Sequence, residues 1–139
     1  MGHMRKSKSD HIREKVRERY AGIAASGKSG CGCSTASCCS ASAPLAQVKS
    51  TRLGYSKKDV ENVPTGADMG LGCGNPQAIA KLKKGEVVLD LGAGGGFDCF
   101  LAARQVGPRG RVSGVDMTPE MVAKARENAR KGRFKNVEF

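Results

Sequence analysis

The 139-residue sequence contains no Trp, and only four Phe and two Tyr. Its apolar stretches are a few residues long, far below the roughly 20 that span a bilayer. This excludes a helical membrane protein. The basic start lacks the apolar centre of a secretory leader, so a cytoplasmic location is expected. Both His residues, His3 and His11, lie near the N-terminus, and none of the six Cys forms a CxxC pair. A structural zinc site is therefore not expected. Without an export signal the thiols do not read as a disulfide framework either. The opening residues 1–4 read as a cloning remnant.

Acidic residues are also scarce: 13 Asp and Glu face 24 Lys and Arg, for a net charge of +11. The imbalance is +4 over residues 1–20, +4 over 21–60 and only +3 over 61–139. A basic tail attracts polyanions without sequence preference. No aromatic-studded strand or base-reading helix accompanies it, so nucleic-acid binding is not expected as the main function.

The chain divides into a first part, residues 1–52, and a second, residues 53–139. In the first, a helix is expected over residues 10–24, capped by Asp10, with Ile12, Val16, Tyr20 and Ile23 forming a narrow apolar stripe. Such a helix would pack loosely on a domain. Residues 26–42, SGKSGCGCSTASCCSAS, hold six Ser, three Gly and four Cys and cannot bury a core, so a flexible tail is expected there. Residues 45–75 read as a transition, with a short-helix start at Ser56 and Asp59 and repeated Gly and Pro breaks.

From Gln77 onward, structural types alternate. QAIAKL predicts a short helix, and EVVLDL a strand buried on both faces. Phe97 to Val106 follows as a helix, then the turn GPRG and a second strand, RVSGVD. Thr118 and Pro119 open the helix Glu120 to Lys131, with Met121, Val122, Ala125 and Ala129 inward. NVEF starts a third strand. This order means a right-handed parallel α/β unit.

The chemistry concentrates in VLDLGAGGGFD. Gly92, Gly94 and Gly96 follow a buried strand and open a helix. Glycine lets a ligand approach the backbone, and helix-start amides would then face it. Asp116 lies twenty residues beyond Gly96, at the end of the second strand, where a carboxylate can accept both hydroxyls of a ribose. Asp90, just before the loop, suits a cationic ligand better than a pyrophosphate. A nucleoside bearing a sulfonium and an ammonium, such as S-adenosylmethionine, fits that field.

DLGAGGG resembles the first motif of class I S-adenosylmethionine-dependent methyltransferases, and GVDMTPEMVAKARENA resembles their ribose-binding segment. With GYSKKDVENVPTGADMGLGCGNP and GGGFDCFLAA, residues 53–139 resemble the arsenite methyltransferase family. The resemblance implies a Rossmann-like class I methyltransferase fold and S-adenosylmethionine as cofactor. Gly92, Gly94 and Gly96 would line its methionine end and sugar. Asp90 would orient the loop and the amino group, Asp116 would take the ribose hydroxyls, and Met117 would lie against adenine. Cys73 matches a family cysteine in thiol and arsenic chemistry, and Cys38 or Cys39 matches a second. Cys99, on the helix after the loop, reads as packing.

The resemblance further implies methyl transfer to trivalent arsenic held as a thiol conjugate, with a cysteine pair supplying electrons and small thiols or a thioredoxin-type protein as reductant. A class I methyltransferase needs about seven strands, so the sequence reads as an N-terminal half, with two to three parallel strands and little catalysis expected from it alone. Two other readings stay open. One is methylation of another small molecule such as a quinone; the other is a non-enzymatic, thiol-rich metal-binding fragment.

Overall fold

A computed structural model describes residues 7–26 and 45–139. The order is α1 (Lys8–Ser26), α2 (Leu45–Arg52), α3 (Lys57–Glu61), α4 (Gln77–Ala80), β1 (Val87–Leu91), α5 (Phe97–Val106), β2 (Arg111–Val115), α6 (Pro119–Lys131) and β3 (Val137–Glu138). The strands form a parallel sheet in the order β1-β2-β3. The expected Rossmann-like unit is present. The cysteine-rich stretch, including Cys31, Cys33, Cys38 and Cys39, lies outside the described residues.

The register places Val88 beside Val112 and Asp90 beside Gly114. These residues face α5, whose Cys99, Ala102, Ala103 and Val106 pack with Val112 into the main core. Cys99 is fully buried, in keeping with its reading as a packing residue. Phe100, also fully buried, meets Phe134 and Phe139 with ring centroids 4.7 and 5.8 Å apart. Phe134 and Phe139 belong to the segment following α6, so aromatic contacts tie the region of the third strand to α5.

One sequence expectation fails at β1. Val87, Leu89 and Leu91 are 77, 63 and 75% exposed, so the strand is covered on one face only. Both crossovers run in the same direction along the sheet, and right-handedness then sends α5 and α6 to the same side. A continuous apolar run does not reveal which face a helix covers.

The helix starts refine the sequence reading. Ser7, not Asp10, begins α1: the Asp10 amide donates to Ser7 Oγ at 3.2 Å, and the Ser7 amide donates back to the Asp10 carboxylate at 3.1 Å. Asp10 is therefore the acidic partner of a capping box. Ser56 and Asp59 form the reciprocal pair that their spacing predicts. Thr118 occupies the N-cap of α6 but makes no side-chain cap bond; the Asp116 carboxylate accepts the Thr118 amide at 2.8 Å instead. Helix α4 stops at Ala80, short of the expected Leu82, because Lys81 turns into the left-handed region at φ 47°.

Helix α2 has no counterpart in the sequence reading. Its buried Ser50 donates to Asp68 at 2.7 Å, across the boundary expected after residue 52. Helix α1 lies against α6, with Ala24 buried and Ile12 exposed.

One-sided burial of the sheet is directly testable. Leu89→Lys should change stability in urea denaturation by less than about 0.5 kcal/mol, as expected of a surface position. Val112→Lys, which places a charge in the core, should unfold the chain. Comparable losses in both variants would mean that both faces are covered.

Candidate functional site

The carboxyl ends of β1 and β2 face the same edge, where parallel α/β sheets bind ligands. The loop after β1 is drawn over that edge by its own backbone. The amides of Gly92 and Ala93 donate to the Val115 carbonyl at 2.7 and 3.0 Å, and the Gly96 amide donates to the Ala93 carbonyl at 2.8 Å. The Gly94 amide donates to Asp116 Oδ2 at 2.9 Å. These loop amides are therefore engaged within the protein. The loop's other side is open.

The three glycines differ in role. Gly92 and Gly94 have φ of +88° and +52°, and a Cβ on either would meet nothing within 4 Å. Their open side is the space a ligand can fill. A Cβ on Gly96, at φ +90°, would lie 2.8 Å from the Phe100 ring. Gly96 is buried, and its lack of a side chain serves packing.

A cleft of about 440 Å³ lies against the loop, lined by Leu91, Gly92, Gly94, Asp116, Met117 and Met121. Cys73, Leu71 and Tyr20 also line it. The structure thus brings together Gly92, Gly94, Asp116, Met117 and Cys73. Cys73 is exposed and Met117 half-exposed. Asp90 is placed differently: it accepts a hydrogen bond from the Cys99 thiol at 3.1 Å, on the face covered by α5. Burial, and then the Asp90 charge, push the Cys99 thiol far up, so it is not a nucleophile. Cys38 and Cys39 lie outside the described residues.

A smaller cleft of about 110 Å³ adjoins the first, sharing Leu71, Gly92 and Gly94. Tyr55, Asp68 and Asp98 line it. Asp68 accepts from Ser50 and from the Gly70 amide at 3.0 Å, while its Oδ2 is buried without a partner. Burial holds the Asp98 carboxyl above the usual carboxylate range, reinforced by the Asp90 charge and opposed by hydrogen bonds from Tyr55 and Gln77. Burial also pushes the Tyr55 hydroxyl far up, helped by Asp98. None of the ion pairs found among the described residues involves Asp68, Asp90, Asp98 or Asp116. The edge is an acidic concavity suited to a cation.

Tyr55, Asp68 and Asp98 did not stand out in the sequence, because no periodicity or spacing marks them, and Tyr20 stood out only as part of the apolar stripe of the first helix. Asn128 was equally hidden on its helix. It is fully buried and donates to the Gly95 carbonyl at 3.0 Å, fastening α6 to the loop.

Residues 82–139 match the family described as "Methyltransferase domain". The chain is 57% identical over 136 residues to an arsenite methyltransferase of Halobacterium salinarum, an alignment covering 94% of this chain and 34% of that protein. It is 44% identical over 72 residues to an arsenite methyltransferase of Aquipseudomonas alcaligenes, covering 49% of this chain and 20% of that protein. A solved arsenic (III) S-adenosylmethionine methyltransferase from Chlamydomonas reinhardtii aligns with TM-score 0.45 and 37% identity, over 66% of this chain and 30% of that one. The chain thus spans about a third of the length of the Halobacterium relative. Residues 82–139 thus carry the sequence of a methyltransferase domain on a Rossmann-like parallel sheet. Over 94% of its length the chain is similar to an arsenite methyltransferase.

The Asp98 environment gives a pH-dependent prediction. Folding favours its neutral form. The stability this group contributes is therefore present at low pH and is lost as pH rises through its folded titration. Asp98→Asn removes the titration. Its melting temperature should gain on the native chain as pH goes from about 3.5 to about 7. A difference that stays constant over that range would show that folding does not perturb the carboxyl.

Proposed function

We propose that this chain forms the cofactor-binding end of an enzyme that methylates trivalent arsenic with S-adenosylmethionine. The observation that carries the reading is one shared cleft: Cys73 lines the same space as Asp116, Gly92 and Gly94, and the two glycines leave open room beside their backbone. A thiolate is a natural ligand for a soft, thiophilic centre. A carboxylate at the end of β2 is a natural acceptor for ribose hydroxyls. Both belong to one wall-to-wall space.

The residues present fit the cofactor. Gly92 and Gly94 leave room where any side chain would intrude. Asp116 is held rigidly by the Gly94 and Thr118 amides and keeps acceptor capacity on both oxygens. Met117, with Leu91 and Val115, supplies the apolar wall for a base. The acidic smaller cleft beside the loop suits a positively charged amino-acid end. When bound, S-adenosylmethionine supplies an electrophilic methyl on a sulfonium.

Cys73 would hold arsenic, as a thiol conjugate, with its lone pair toward that methyl. The contribution of these residues is mainly alignment. Methylation raises the formal oxidation state of arsenic by two. Two thiolates closing to a disulfide return those two electrons, and a small thiol or a thioredoxin-type protein then reduces the disulfide. Cys38 and Cys39 are the candidates for the second thiol on the family resemblance alone.

Two titrations test this reading. The native chain should release heat with S-adenosylmethionine, and Asp116→Ala should weaken binding at least tenfold, about 1.4 kcal/mol. Arsenite binding should persist in Asp116→Ala and weaken in Cys73→Ser. No cofactor binding by the native chain, or an unchanged arsenite affinity in Cys73→Ser, would sink the proposal.

A further inference from the structure

Cys73 lies in a Gly-flanked segment whose local sequence gives it no helix or strand to stand on. What steadies it comes from elsewhere in the chain. The Gly74 carbonyl lies 2.8 Å from the Tyr55 hydroxyl. The Asn75 side-chain amide donates to the Gly54 carbonyl at 3.0 Å, and the Gln77 side-chain amide donates to the Asp98 carbonyl at 3.3 Å. Two of these three ties end on Tyr55 or Asp98. Tyr55 is itself immobilised: it is 4% exposed, and its ring meets Phe97 edge-on at 4.8 Å. Asp98 sits in the first turn of α5, two residues beyond the glycine loop.

The proton count at Tyr55 is informative. Its hydroxyl lies 2.8 and 3.0 Å from the two Asp98 carboxylate oxygens as well as 2.8 Å from Gly74 O. A phenol donates one hydrogen. An ionised carboxylate and a peptide carbonyl, both acceptors only, compete for it. A donor in place of one carboxylate oxygen would free the phenolic proton for Gly74.

Resting on the arsenite methyltransferase reading, we propose that Tyr55 and Asp98 are positioning residues for the Cys73 thiol. Tyr55 holds the Gly74 carbonyl, and Asp98 competes for the proton that makes the hold. Neither residue touches arsenic. Together they transmit the position of the cofactor loop, through the start of α5, to the segment bearing the thiol.

The test is backbone ¹⁵N relaxation of the full chain, read at Gly72, Cys73 and Gly74. In the native chain these amides should show order parameters near the rigid value of about 0.85. In Tyr55→Phe, which keeps the ring and loses the hydroxyl, they should fall below about 0.6, with β1 and α5 unchanged. In Asp98→Asn, whose side-chain amide can donate to the Tyr55 oxygen, they should stay at or above native. A Tyr55→Phe segment as ordered as native, or an Asp98→Asn segment as loose as Tyr55→Phe, overturns the proposal. If Tyr55→Phe does not fold, the Tyr55 hydroxyl proton resonance decides: Asp98→Asn should shift it as Gly74 becomes its acceptor, and an absent or unshifted resonance overturns the proposal. Arsenite titration of native and Tyr55→Phe chains should show at least a fivefold loss in the variant; equal affinities overturn the positioning role. Native order parameters that behave as stated in a chain binding no arsenite would discard the arsenic reading while leaving the Tyr55 tie intact.

Discussion

The close seating of α5 on the sheet depends on side chains that are absent. A Cβ on Gly114 would lie 2.6 Å from the Phe139 ring and 2.8 Å from the Cys99 sulfur, and one on Gly96 would lie 2.8 Å from Phe100. These spaces are filled by neighbours, so the helix can approach the backbone of β2 and the third strand can lay its aromatic ring beneath it. Cys99 then reaches Asp90, and Phe100 reaches Phe134 and Phe139. Asp116 is fastened to the loop between β1 and α5 through the Gly94 amide.

The loop's hydrogen bonding also narrows what it can bind. In a phosphate-cradling loop, the amides at the helix start point outward. Here Gly92, Ala93 and Gly96 spend theirs on backbone carbonyls, and Gly94 gives its own to Asp116. What remains toward the cleft is bare backbone, carboxylates and apolar side chains. That surface suits a cationic nucleoside with an apolar base better than a pyrophosphate, by simple Coulomb attraction and repulsion. Asp116 has two functions in this arrangement: it receives the loop amide and the Thr118 amide, and it stands at the rim of the cleft.

The acidic residues around the smaller cleft have a thermodynamic cost. Asp68, Asp90 and Asp98 lie close enough to raise the titration of Tyr55 together. Desolvated like charges without ion-pair partners destabilise a fold. Such an arrangement persists where function requires it. An incoming cation would relieve it, and binding and local stability would then be linked.

Much of the parallel unit was legible in the sequence. Apolar runs, the turn GPRG, Pro119 after Thr118 and the glycine loop are short-range signals, and each acts within one turn or one strand. They determined the βαβαβ order, the loop and the acid at the end of β2, and the family motifs pointed to Cys73. The sequence did not reveal that β1 is bare on one face, since that depends on which side both helices fall. It did not reveal that Asp90 turns to Cys99 instead of the cleft, or that Gly96 serves packing. Nor did it single out Tyr55, Asp98 and Asn128, whose partners Gly74, Tyr55 and Gly95 lie 19 to 43 residues away in the chain. Local backbone preferences act between neighbours and can be read along the chain. Contacts of a single hydroxyl or amide across the fold follow only from how the elements are packed, and those contacts decide where the Cys73 segment stands.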